Sequence, residues 1–134
     1  MNSTDVEVRL DLPCEPESVG VARNAVAEMA KGLGAAVDDV KIAISEAVGN
    51  AIVHAYRGGK SGAIRVFARE ERGRLVVSIA DDGIGMAPNP ASPGLRIGIP
   101  LITKLCDDVR FTSSEEGTTV SMSFAASAPS EAGA

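Results

Sequence analysis

The stretch from Ile44 to Arg57 constrains the chain most. Val40, Ile44, Ala47 and Ala51 recur at three- and four-residue steps, which lines apolar groups along one face of an α-helix. A second stripe is polar. Glu46, Asn50 and His54 follow at intervals of four, so an acid, an amide and an imidazole stand one above the other. Their neighbours are small or apolar, whereas a solvated helix face ordinarily mixes Lys, Arg, Glu and Gln. The stripe reads as a candidate site wall, and the plainer alternative is a polar face without chemistry. A helix with one core face needs a second layer to bury it against.

The rest of the chain supplies that layer. Val6, Val8, Leu10 and Leu12 alternate with charged residues, the period of a half-buried strand. Pro13 and Pro16 end it, and Pro16 suits the first turn of a helix carrying Val19, Ala22, Val26, Met29 and Leu33. Gly32 and Gly34 supply its C-terminal stop. Asp38 and Asp39 favour the positive end of the next helix, which ends near Arg57-Gly58-Gly59. Residues 63–69 and 74–80 alternate as two strands around a Glu70-Glu71-Arg72-Gly73 turn. A loop rich in Gly and Pro runs from Asp81 to Arg96. A helix begins near Gly98 or Pro100 and carries Ile99, Ile102 and Leu105. Val109 and Phe111 mark a strand, Ser113 to Gly117 turns, and Thr118, Val120, Met122 and Phe124 alternate in a last strand. The order β-α-α-β-β-α-β-β predicts an α+β fold: a two-layer sandwich with a mixed, largely antiparallel sheet and helices on one face. Residues 1–125 form one domain in this reading, and 126–134, with small residues and Pro129, a loose tail.

Composition narrows the function. Aromatics are 3% with no Trp, which argues against stacking platforms for nucleic acid. A net charge of −5 and a pI near 4.8 argue against general binding to a phosphate backbone. Cys14 and Cys106 have no CxxC partner and the chain has one His, so neither a zinc site nor a disulfide framework is expected. They read as reduced, mostly buried thiols. No apolar run approaches the ~20 residues of a membrane span, and the N-terminus lacks a basic region followed by an apolar one. A cytoplasmic protein without membrane attachment is expected.

Three further features carry chemistry. Asp81-Asp82-Gly83-Ile84-Gly85 follows a buried strand. An acid there can accept hydrogen bonds from a donor such as an exocyclic amine, and glycines permit close backbone approach; the plainer reading is a turn with a solvated Asp pair. The regular run of oxygen ligands that a calcium loop needs is missing. Residues 86–93 are long and irregular for a hairpin, suiting a lid, although Pro88, Pro90 and Pro93 also suit a rigid connector. Gly98 stands at a helix start, where free amides and the dipole favour phosphate, with Arg96 adding a cation beside it.

In this order, the acid-and-amide helix, Asp-x-Gly-x-Gly, lid, Gly-started helix and Gly117-Thr118 resemble the Bergerat ATP-binding fold of the GHKL family, shared by histidine kinases and gyrase. Within it the chain most resembles the bacterial anti-sigma factor serine/threonine protein kinases, the partner-switching regulators of sporulation and general stress response. The resemblance covers residues 5–124, and Glu46-Ala-Val-Gly-Asn50-Ala-Ile-Val-His54-Ala-Tyr56 is similar to that family's N box nearly residue for residue.

The resemblance implies ATP and Mg²⁺ as cofactors. Asn50 would hold Mg²⁺ through its amide oxygen, and Glu46 would act as general base towards a water or a serine hydroxyl. Asp81 would accept from the adenine amino group with Thr118 in support. Gly83 and Gly85 would admit the adenine, and Gly98 would face the phosphates. His54 is expected to be structural. Arg96-Ile97-Gly98 departs from the family's Gly-x-Gly, and the family's phosphate-touching arginine aligns near Gly94 unless a loop shift brings Arg96 into that role. This departure bears on transfer more than on binding. The implied partners are a sigma factor and a STAS-type anti-anti-sigma protein, with a homodimer. The alternative is a nucleotide-binding interaction module without phosphotransfer. The catalytic domain of a sensor histidine kinase fits less well, since no helical hairpin with a phosphoacceptor His precedes the ATP helix.

Overall fold

Alternation and helical spacing each become the element they predict. A computed structural model of the chain describes residues 7–57, 63–81, 102–114 and 117–126. Strand β1 (Glu7–Pro13) leads into helix α1 (Glu17–Leu33), then α2 (Val37–Arg57), β2 (Ala63–Glu71), β3 (Arg74–Asp81), β4 (Asp108–Ser114) and β5 (Gly117–Ala125). Residues 102–105 are helical and bring Ile102 into the core; the predicted start of that helix, at Gly98 or Pro100, lies outside the described residues. So does residue 127 onward, most of the expected tail. Among the described residues, no helix is long and apolar enough to cross a membrane.

The strands form one sheet in the order β1-β2-β3-β5-β4. All four neighbouring pairs are antiparallel, a correction to the expected mixed sheet. The physical reason is connectivity. β3 and β4 run the same way, but β5 turns back from β4 and lies between them, so the two parallel strands never pair. Strand order depends on contacts distant in sequence, which alternation does not reveal.

Both helices pack on one face. α1 closes with a Schellman motif: Gly34 takes φ 73°, Ala35 N–H donates to Ala30 O at 3.0 Å and Gly34 N–H to Lys31 O at 3.3 Å. Gly34 is thus the stop, while Gly32 stays inside the helix. At the other end, the buried Ser18 hydroxyl donates to Pro13 O at 2.6 Å and ties α1 to β1. The predicted apolar face of α2 is the buried one: Val40, Ile44, Ala47 and Ala51 all lie in the core. There they meet Ile64, Val66 and Ala68 of β2, Leu75, Val77 and Ile79 of β3, and Met122 and Phe124 of β5. Burying a side chain such as Ile44 is worth about 1.5–3 kcal/mol, so this face holds α2 rigidly over the sheet. β1 lies at an edge and its Val8, Leu10 and Leu12 are only half-buried.

Candidate functional site

Glu46 and Asn50 stand one turn apart on α2. Both are half-buried, on the flank between the core face and the outward face, which suits side chains that must be held and still reach a ligand. His54 lies on the same helix by its backbone, and its side chain is outside the described ones.

Asp81 and Thr118 come together. Asp81 is the last residue of β3 and pairs across the ladder with Ile64 on one side and Thr118 on the other. Directly opposed residues in an antiparallel pair put their Cβ atoms ~4.5–5.5 Å apart on one face. Above this rung, the helix-facing positions of β3 are Ile79, Val77 and Leu75, and those of β5 are Val120, Met122 and Phe124. The central sheet is therefore apolar on its inner side until its last rung, where a carboxylate and a hydroxyl appear together. They are 7% and 6% exposed. A buried polar pair at that position is costly unless hydrogen-bonded, and it offers an acceptor and a donor–acceptor at the end of an apolar layer. Gly117 precedes Thr118 with φ 141°, a backbone that a side chain rarely adopts. It closes the β4–β5 hairpin opposite Ser114 and sets Thr118 on the rung with Ser113.

Cys14 connects the two groups of residues. It follows β1 at the end of the sheet where Asp81 sits, and its thiol donates to the Ile52 carbonyl of α2 at 3.7 Å. Burial first, then the negative charges of Asp81 and Glu15, push the Cys14 thiol above its ordinary pKa. The C-terminal half of α2, with Asn50, therefore lies over the Asp81–Thr118 end. Sequence reasoning missed this contact, since nothing in the spacing links residue 14 to residue 52. Both thiols are half-buried, less enclosed than expected.

The other predicted site residues, Gly83, Gly85, Arg96 and Gly98, lie outside the described residues, as does the proposed lid. Of the predicted set, the described residues give the helix pair Glu46 and Asn50 and the strand pair Asp81 and Thr118. Together they can present an amide oxygen, a half-buried carboxylate and a buried acid–hydroxyl pair to one ligand with a polar edge and a flat apolar body.

Comparison with known proteins yields consistent similarities. Residues 12–124 match the family model described as "Histidine kinase-like ATPase domain". The serine-protein kinase RsbW of Bacillus licheniformis is 32% identical over 133 residues, covering 86% of this chain and 82% of that protein. RsbW of Bacillus subtilis strain 168 is 31% identical over the same shares. Among solved structures, the RsbU and RsbW domains of Rv1364c from Mycobacterium tuberculosis superpose with a TM-score of 0.71 at 24% identity. That match covers 92% of this chain and 33% of the mycobacterial one, and it speaks to the fold alone. The histidine kinase AdeS of Acinetobacter baumannii has the same fold at a TM-score of 0.55 and 10% identity.

Proposed function

The chain belongs to the histidine kinase-like ATPase domain family, and on that premise we propose that it is an ATP-dependent serine/threonine protein kinase of the RsbW type. In this reading it sequesters a sigma factor and phosphorylates a Ser or Thr of a STAS-type anti-anti-sigma antagonist, whose modification switches the partner. The names of its relatives, serine-protein kinases at 31–32% identity over most of both chains, support the transfer activity. A cytoplasmic location and a homodimer complete the proposal.

The single observation that carries the nucleotide site is the buried Asp81–Thr118 rung at the end of an otherwise apolar inner sheet. Such a pair fits adenine: Asp81 accepts from the amino group, Thr118 adds a second polar contact, and the apolar layer meets the ring. Asn50 offers a neutral oxygen ligand of the hard kind that Mg²⁺ takes. Glu46, one turn away, orients and deprotonates the acceptor hydroxyl. Gly83, Gly85, Gly98 and Arg96 complete the proposed cradle for the ring and phosphates. When bound, Mg·ATP supplies the phosphoryl group and neutralises part of its charge.

Calorimetric titration of Mg·ATP into the wild type and Asn50→Ala tests the site: micromolar binding is expected in the first and loss of at least tenfold in the second. Transfer of labelled phosphate from ATP to a STAS-type protein, abolished by Glu46→Ala with ATP binding intact, tests the chemistry. The sequence Arg96-Ile97-Gly98, which departs from the Gly-x-Gly expected from the family resemblance, favours a second reading as a nucleotide-dependent binding module. Tight ATP binding with no transfer to any STAS-type protein would select it.

A further inference from the structure

We propose that the outward ridge of α2 formed by Ile42, Gly49 and Val53 is the seat of the phosphoacceptor protein, gripping apolar side chains on either side of the reacting hydroxyl. The inference rests on the kinase reading and deepens it by naming the substrate-binding surface.

Ile42, Glu46, Gly49 and Val53 follow at steps of four, three and four, so they share one helix face. Ile42 is 44% and Val53 47% exposed, while the other apolar side chains between Val40 and Ile52 are buried in the core. Single exposed aliphatic groups are ordinary. The glycine between these two is less so. Gly49 sits in the interior of a 21-residue helix, where glycine weakens the helix relative to alanine. Among the described residues, a Cβ built on it meets nothing within 4 Å, so none of them requires the gap. A locally costly notch that no described neighbour requires is what close approach from outside explains.

Glu46 lies on the same ridge, between Ile42 and Gly49. A hydroxyl brought to its carboxylate therefore arrives over the notch, and the chain that carries it passes Ile42 on one side and Val53 on the other. The two aliphatic residues are ~16 Å apart along the axis, a span that about five extended residues cross. The expected occupant is a protein segment with a Ser or Thr near its middle and an apolar side chain towards each end. A second copy of this chain is the poorer occupant. Two half-exposed aliphatic side chains fall well short of the roughly 800 Å² per partner of a standard stable interface, whereas a kinase must release its product.

The test uses the full chain, a non-hydrolysable Mg·ATP analogue and each purified STAS-type protein of the source organism, with affinities read by interferometry. Gly49→Ala is expected to raise the melting temperature yet weaken STAS binding at least tenfold, and Ile42→Ser with Val53→Ser to weaken it similarly. Mg·ATP affinity stays within twofold in both. Unchanged STAS affinity overturns the proposal. So does a parallel loss of Mg·ATP affinity, which would assign the notch to the nucleotide or to the chain's own loop. Loss of a dimer in light scattering would assign it to a second copy and likewise overturn it. A wild type that binds a STAS-type protein but does not phosphorylate it when labelled Mg·ATP replaces the analogue removes the kinase reading, and the variant affinities still decide the seat. A wild type that binds none of them overturns both.

Discussion

Cys14 and Cys106 show how far a single residue's behaviour depends on contacts that lie outside its own neighbourhood in sequence. Burial is the largest cause raising both thiols; the charges of Asp81 and Glu15 add to it at Cys14, while backbone hydrogen bonds from Ser123 and Asp108 partly offset it at Cys106. The unfolded chain therefore loses these protons first, near the ordinary thiol value of ~8.5. The folded thiols keep theirs to higher pH. Their contribution to stability is intact below ~8.5 and is lost as pH climbs towards the folded-state values. The urea midpoint is expected to fall between pH 8 and pH 10, and to fall less in the Cys14→Ala, Cys106→Ala double variant. Equal slopes in the two proteins would refute this. At the same scale, Asp81 was legible because an acid closing an alternating strand before two glycines is conspicuous, and Thr118 because Gly117 marks its strand. Cys14 was not, since its partner Ile52 is set by how α2 lies across the sheet.

At the scale of elements, the strands were legible because alternation is a local property, and their ends were less so. Glu70 and Glu71 look like turn residues, yet β2 continues through Glu71 and the reversal takes only Arg72 and Gly73, at φ 55° and 76°. Two consecutive left-handed residues make the tight turn whose twist matches that of the strands. Glu70 supports it, its carboxylate accepting from Gly73 N–H at 3.0 Å. Arginine tolerates that backbone poorly, whereas asparagine adopts it often. Arg72→Asn is expected to stabilise the protein by roughly 0.5–1 kcal/mol, read as a melting temperature about 2 °C higher. The side chain of Arg72 has no role in the proposed site, so Mg·ATP affinity should stay where it is. An unchanged or lower melting temperature would show that the turn is not limited by its backbone.

Across the whole molecule, the proposed site depends on long-range pairing that brings distant segments to one end. Asp81 and Thr118 are 37 positions apart in sequence and become neighbours only when β5 turns back between β3 and β4. Sequence could name these residues; it could not derive the rung, because the strand order is a property of the folded sheet. The same geometry predicts how a ligand should act on stability. A group bound at the sheet's end and on α2 couples the two layers, and anything that binds only the folded state stabilises it by mass action, about 2.7 kcal/mol at a hundredfold excess over its dissociation constant. Mg·ATP is therefore expected to raise the wild-type melting temperature by several degrees. Asp81→Asn replaces the acceptor by a group that also presents donors to the adenine amino group, a loss of about 1.5–3 kcal/mol for a charged hydrogen bond. It should remove most of the shift while leaving the unliganded protein folded. Hydrogen exchange separates this from general destabilisation. Without nucleotide, the central strands β2, β3 and β5 should stay protected in both proteins, because the variant retains their backbone ladders and apolar rungs. With nucleotide, added protection should gather at the Asp81–Thr118 end and the C-terminal half of α2 in the wild type alone. A variant that keeps the same added protection would place the ligand elsewhere on the molecule.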